Sequence, residues 1–305
     1  MFGLTNFEMN VDSFALYIKI FETVFPLVVI VLVGFFYARA RPTDMTIANR
    51  LNMSVFIPAL IFSVMASKSF HIVQYQSLML AGAAVVLGSG LLIWPLCRFL
   101  GISSKTLLPP MMFNNSGNLG IPLIVLAFGE QSLPIAVILF LTENVLHFTV
   151  GMYLMNPKTK VMVIVKMPMI IATILGVIWS LNSWPLPTAL SVPISMLGQI
   201  SIPLLLFALG VRMKDVDLHN WKIGLLGGIL CPLSGLIMAL LWQWCFPLSA
   251  ADFAYLLVFA CLPPAVLNYI LAELHQQEPQ KVASIVLIGN LLSLIIVPVL
   301  LLFVI

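Results

Sequence analysis

The sequence predicts an all-α membrane protein of ten transmembrane helices, built as two inverted five-helix repeats in which helices four and nine are broken. Three observations carry that reading. Of the 305 residues 61% are apolar and 8% are charged, where a soluble domain has about 25% charged residues, so lipid must cover the apolar surplus. Basic residues cluster in alternate connections along the chain. An apolar motif with an internal proline returns 145 residues later.

Ten apolar runs, each close to the roughly 20 residues that a spanning helix needs, place the spans at 14–38, 47–66, 76–100, 107–128, 132–155, 167–184, 190–211, 221–246, 253–274 and 282–304. The first follows an acidic tail with Glu8 and Asp12 and has neither a basic stretch before it nor a small-residue cleavage site. It is expected to stay as a span rather than be removed as a signal peptide. The first five spans form one half, 1–155, a short connection covers 156–166, and the second half is 167–305. Connections this short leave no room for a separate catalytic, nucleotide-binding or receptor domain, so function must lie inside the helix bundle.

Arg39, Arg41 and Arg50, then Arg98 and Lys105, then Lys158, Lys160 and Lys166, then Arg212, Lys214 and Lys222, and finally Lys281 fall in alternate connections. The opposite side has Lys19 and Lys68. Positive charge marks the cytoplasmic side, which puts both termini outside the cytoplasm and agrees with an even number of spans. Clusters of two or three cations meet the needs of orientation and make no nucleic-acid surface. Cys97, Cys231, Cys245 and Cys261 lie within spans without metal-ligand spacing and read as small hydrophobes. The tryptophans sit mostly towards span ends, as interfacial side chains do.

Self-similarity links the halves. Ile57-Pro58-Ala59-Leu60-Ile61-Phe62 in span two matches Ile202-Pro203-Leu204-Leu205-Leu206-Phe207 in span seven. Gly82 and Ser89-Gly90-Leu91 in span three fall on Gly227 and Ser234-Gly235-Leu236 in span eight, Asn144 in span five falls on Asn290 in span ten, and Pro26 and Gly34 in span one fall on Pro168 and Gly176 in span six. Matches at Pro, Gly, Ser and Asn in nearly constant register point to duplication. A repeat of five spans re-enters the membrane inverted, an architecture that secondary transporters use around a midplane site.

Spans four and nine correspond, and both carry helix breakers. Span four contains Asn114-Asn115-Ser116-Gly117-Asn118-Leu119-Gly120-Ile121-Pro122, and span nine contains Leu262-Pro263-Pro264-Ala265-Val266-Leu267-Asn268. Proline removes a helical N–H, and freed backbone groups at membrane depth must find partners. Two half-helix starts pointing inward would offer N–H groups and positive dipole ends to an anion. The expected substrate ligands are therefore Asn114, Asn115, Ser116, Gly117, Asn118, Gly120 and Pro122 from one break and Pro263, Pro264, Ala265 and Asn268 from the other. The amides of Asn115, Asn118 and Asn268 are the expected carboxylate donors. Pro109-Pro110 is expected only to begin span four.

The string from Asn115 to Leu123 resembles the broken fourth helix of the auxin efflux carrier family, which includes plant PIN exporters and bacterial transporters. Leu262-Pro263-Pro264 through Ala272-Glu273, Pro58-Ala59-Leu60-Ile61-Phe62 and Asn156-Pro157 extend the resemblance over essentially the whole chain. It implies that spans four and nine cross at their breaks. It also implies a scaffold of spans one, two, six and seven, which could support a homodimer, and a mobile transport domain made of the rest. By the same resemblance Asn115 stands where PIN proteins place a ligand for the substrate carboxylate. The short connection 156–166 and the Gly117-Asn118 pair, which replaces two apolar positions, depart from the plant proteins. They imply a compact bacterial type in the inner (plasma) membrane.

Glu143 is an acidic residue near the centre of a span, beside Asn144 and one turn before His147. An ionisable group there costs about 2.5 kcal/mol or more on insertion scales, so it should face a partner or a wet cavity. Glu143, Asn144, His147 and the repeat counterpart Asn290 are the expected ion-coupling group, for H+ or Na+; a Glu143–His147 structural pair is the alternative. Glu22 with Lys19 reads as an interfacial pair, and Glu130, Gln131 and Ser132 as a solvated span end. No Walker sequence and no H-E-x-x-H occur, so the expectation is a non-enzyme without cofactor. The preferred function is a secondary transporter of a small organic anion. The alternatives are a sodium-coupled symporter of the bile-acid type, with sodium around Asn114, Asn115 and Glu143, and a non-transporting membrane sensor of the same fold.

Overall fold

The computed structural model describes residues 4–67, 70, 72–158, 165–215 and 220–305, with side chains from residue 14 onward save that of Asp215. Lys68 and Lys160, used above for orientation, and the side chains of Glu8 and Asp12, used for the reading of the first span, lie outside the described residues. Among the described residues every regular element is a helix. The chain runs through α1 (Leu4–Ala40), α2 (Thr46–Leu51), α3 (Ile57–Met65), α4 (Gln76–Leu100), α5 (Ser104–Met112), α6 (Ile121–Phe128) and α7 (Leu133–Leu146). It continues through α8 (Met152–Met155), α9 (Pro168–Leu181), α10 (Thr188–Arg212), α11 (Trp221–Cys245), α12 (Ala250–Ala260), α13 (Val266–Leu274) and α14 (Pro279–Val304). Wide π-helical turns join α2 to α3 at Asn52–Phe56, lead into α6 at Ser116–Gly120 and join α7 to α8 at His147–Gly151.

Among the described residues seven helical stretches are long and apolar enough to cross a membrane: Phe14–Ala40, Thr46–Met65, Ile72–Leu100, Glu130–Met155, Thr188–Arg212, Trp221–Cys245 and Pro279–Val304. Shorter apolar helices, Ser116–Phe128, Pro168–Leu181 and Ala250–Ala260, occupy the intervals expected for spans four, six and nine. Outward-facing side chains such as Phe99, Trp244 and Phe303 are more than 80% exposed, as suits a hydrocarbon surround rather than water.

The helices pack as two groups. In one, α1 lies on α10, α3 on α9, and α10 on α3. In the other, α11 contacts α14, α4 and α12, while α4 also contacts α5 and α7, and α13 lies on α14. The first group depends on close backbone approach: a Cβ at Gly34 would meet the Phe207 carbonyl, and one at Gly210 the Val31 carbonyl. Small residues at such crossings let helices gain van der Waals contact where no hydrophobic drive between them exists.

Several sequence expectations need correction. Pro109 and Pro110 lie inside α5 rather than at its start. That helix begins earlier because the Thr106 and Leu107 N–H groups both fold back onto the Ser103 carbonyl, at 3.0 and 3.1 Å. Proline's fixed φ suits a helix, so only two ladder bonds are lost. Among the described residues no ion pair joins Lys19 to Glu22; both are exposed. Ser132 is buried rather than solvated, because its hydroxyl donates to the carbonyls of Ile124 and Gly129 and closes the turn into α7.

Candidate functional site

Both expected breaks exist, and the chain uses them to make one object. After α5, Phe113 is extended (φ −108°, ψ 105°), and Ala265 before α13 is extended as well (φ −66°, ψ 143°). The two stretches lie antiparallel with Asn114 opposite Pro264. The Asn115 N–H donates to the Pro263 carbonyl at 2.7 Å and the Ala265 N–H to the Phe113 carbonyl at 3.0 Å. In an antiparallel pair of this kind the bonds come from the residues flanking the opposed couple. Pro264 therefore sits where no N–H is required, and this is why a double proline is tolerated at membrane depth.

Asparagine amides secure the crossing. Asn114 Nδ2 donates to the Phe259 carbonyl at 2.5 Å, and Asn268 Nδ2 to the carbonyls of Phe113 and Ala265 at 2.8 and 3.0 Å. Asn115 Nδ2 donates to Asn290 Oδ1 at 2.8 Å, while Asn290 Nδ2 donates to the Pro264 and Val286 carbonyls at 3.0 and 2.7 Å. Asn144 Nδ2 donates to the Phe140 carbonyl at 2.8 Å. Both amide hydrogens of Asn268 and of Asn290 are thus committed to protein, whereas Asn114, Asn115 and Asn144 each keep one.

A cavity of about 220 Å³ opens beside the crossing, between the two helix groups. Of the expected site residues, Asn114, Asn115, Ser116, Gly117, Asn118, Glu143, Asn144, His147 and Ala265 line it. Gly120, Pro122, Pro263, Pro264, Asn268 and Asn290 do not: they build the crossing or pack behind it. Two helix starts face this space, one at Ser116–Asn118 and one at Val266–Leu267. First-turn N–H groups have no partner within their own helix, and the positive ends of both dipoles converge here.

Glu143 is 1% exposed. Its carboxylate accepts from the Ser116 hydroxyl. No ion pair with His147 forms among the described residues. Instead the His147 ring stacks on Phe113, with centroids 4.1 Å apart and planes 6° from parallel. The Asn268 amide lies beside that imidazole, yet among the described residues neither His147 Nε2 nor Asn268 Oδ1 completes a hydrogen bond.

The first helix group adds residues that the sequence reading did not single out. Asn49, Asn52 and Arg212 line the same cavity. Asn52 is 1% exposed and its Oδ1 has no partner among the described residues. A signal existed, since Asn49 and Asn52 are spaced to share a helix face at the mouth of an apolar run. For Arg212 there was none, because a cation ending an apolar run reads as an orientation charge. The three π-helical turns all contribute to the wall through Asn52, Ser116 and His147, in keeping with the frequent placement of such turns at functional sites.

The chain matches the family described as membrane transport protein over residues 19–167 and 158–301. It is 28% identical to an uncharacterised transporter of Methanothermobacter thermautotrophicus, over 91% of this chain and 96% of that protein. It is 22% identical to an uncharacterised transporter of Methanocaldococcus jannaschii, over 90% and 96% of the two chains.

Proposed function

The chain belongs to the membrane transport protein family, that of the auxin efflux carriers, and from that membership we propose that it is a secondary transporter of a small organic anion. The observation that carries the proposal is the convergence of two helix starts, Ser116–Asn118 and Val266–Leu267, on one cavity of about 220 Å³ between the helix groups. A carboxylate there would take the first-turn N–H groups and the remaining amide hydrogens of Asn114 and Asn115. The Asn118 side chain also lines the space. Asn268 serves this site indirectly, by holding the crossing.

Ten crossings in two inverted repeats, with an elevator motion, complete the reading. Its support is a set of packings related by the repeat: α1 on α10 mirrors α9 on α3, and α11 on α14 mirrors α4 on α7. Gly90 faces Met112 at the end of α5 just as its counterpart Gly235 faces Ala260 at the end of α12. Asn144 and Asn290 each bond the carbonyl four residues earlier. The moving body would be the group holding the crossing, sliding against α1, α3, α9 and α10. That four-helix group remains the candidate homodimer surface; a plasma-membrane location with both termini outside belongs to the same reading, and the charge pattern supports the orientation. Glu143 is the candidate coupling group for H+ or Na+.

Thermal-shift screening of the purified protein against small carboxylates, followed by flux in proteoliposomes, tests the proposal. Carboxylate-dependent stabilisation and flux are expected, with both lost in Asn115→Ala. A wild-type protein that neither binds nor moves any small carboxylate would refute it.

A further inference from the structure

Open space continues beyond the crossing. Arg212, the last residue of α10, lines the cavity of about 220 Å³ and also a second of about 250 Å³ between α10, α13 and α14. Through Tyr269, Ala283 and Leu287 the second adjoins a third, of about 150 Å³. The third reaches Glu273 and Gln280 at the connection between α13 and α14, on the side where the basic residues cluster. The three spaces therefore line up from the crossing to that connection, and Arg212 stands where the first meets the second.

Arg212 is half-buried, and among the described residues it has neither a hydrogen bond nor an ion pair. Three polar residues on these walls, Asn290, Tyr269 and Glu143, are engaged elsewhere. Asn290, on the wall of the second cavity, uses both amide hydrogens within the crossing. The Tyr269 hydroxyl donates to Glu273 Oε1 at 3.0 Å, and Glu143 accepts from Ser116. A guanidinium stays ionised at any physiological pH, and a charge drawn out of water calls for a counter-charge. Its planar fork matches the two oxygens of a carboxylate. Leu209, Val266, Ile270 and Leu287 make the rest of the wall apolar.

We propose that Arg212 and the cavity it closes form a second anion subsite, between the crossing and the α13–α14 connection, that takes the carboxylate of an organic anion with a compact apolar body. A cavity of about 150 Å³ holds a benzene ring, so a ring-sized body fits. One fixed cation among apolar walls favours a monoanion over a phosphate ester or a polyanion. The subsite rests on the anion-transport reading and deepens it: Arg212 selects charge, and the amides at the crossing receive the carboxylate afterwards.

The test uses the purified full chain in nanodiscs, with benzoate as probe and benzamide as its neutral counterpart. Wild type should bind benzoate about tenfold or more tightly than benzamide, as a charge-assisted pair implies. Arg212→Gln should weaken benzoate about tenfold and leave benzamide unchanged, and Arg212→Lys should restore part of the preference. An Arg212→Gln protein with the wild-type elution profile and the wild-type preference would overturn the inference. Loss of benzoate binding in Asn115→Ala with none in Arg212→Gln would overturn it while leaving the crossing site standing. Failure of wild type to bind benzoate, with another small carboxylate still bound, would overturn the subsite while leaving the crossing site standing. Should Arg212→Gln not fold, Ala283→Trp decides: by filling the second cavity it should slow benzoate flux from the α13–α14 side about tenfold, and unchanged flux would overturn the subsite.

Discussion

Glu143 and Asn268 are both buried polar residues facing the crossing, yet hydrogen-bond partners give them different work. Glu143 holds the start of the helix that presents Ser116 to the cavity. A change in its charge or ligation is felt at once by the proposed substrate ligands. Glu143→Gln keeps an acceptor for Ser116 but removes the ionisable group, so flux should lose its dependence on pH or sodium while substrate binding persists. Ion dependence identical to wild type would return Glu143 to a purely structural role. Asn268 is 0% exposed and ties Phe113 to Ala265. Its replacement by alanine leaves the Phe113 carbonyl with one bond instead of two, and a lost buried hydrogen bond costs about 1–3 kcal/mol. Thermal unfolding of Asn268→Ala should show that loss even without ligand, whereas Asn115→Ala should lose ligand-induced stabilisation. A ligand-free melting point equal to wild type in Asn268→Ala would contradict the bracing role.

At the scale of elements, what matters is how helix ends are fastened. The start of α14 is fixed at Glu278, whose backbone is left-handed at φ 44°. Its carboxylate pairs with Lys281 and accepts from the Thr106 hydroxyl of α5 at 2.5 Å. This clip joins the two halves of the chain at one end of the bundle. The Lys281 and Thr106 bonds hold the Glu278 carboxyl below its ordinary range. A carboxyl whose folded pKa is depressed stabilises the fold above its unfolded value, near about 4.3, and that contribution fades as pH falls through the folded value. Melting temperature should therefore drop on acidification from pH 5 towards 3, by less in Glu278→Gln than in wild type. Because the side chain is 39% exposed, solvent screening keeps the effect small. Equal acid sensitivity in the two proteins would remove the clip from the account. The breaks in spans four and nine were legible as elements, because Pro, Gly and Asn in an apolar run leave backbone groups that a continuous helix cannot satisfy. The actual helix limits were less so: α5 swallows Pro109-Pro110, since a nearby carbonyl at Ser103 lets it begin earlier.

For the whole molecule, orientation and the division into two helix groups set what the site can do. In the proposed orientation Lys158, which is exposed, lies on the cytoplasmic side. A cysteine introduced there should resist a membrane-impermeant maleimide in intact cells and react after lysis. Labelling in intact cells would invert the topology and, with it, the side from which the Arg212 path opens. The cavity lies between the groups rather than within either, so relative motion of the groups would change its walls. α10 supplies Leu205, Ala208 and Arg212 to one wall, and the crossing supplies the other.

Composition, the spacing of cations and the location of helix breakers are local properties of the chain. They were enough to read off a membrane bundle and the two places where helical bonding fails, because burial in lipid and a missing N–H act on each segment wherever its neighbours are. Which amide faces a solute and which is consumed in bracing is not local. Asn115 and Asn290 are 175 residues apart in the chain and 2.8 Å apart across their hydrogen bond, and Arg212 meets the crossing only because α10 packs against it. A donor's availability depends on what folding brings beside it, and that is settled by the packed bundle.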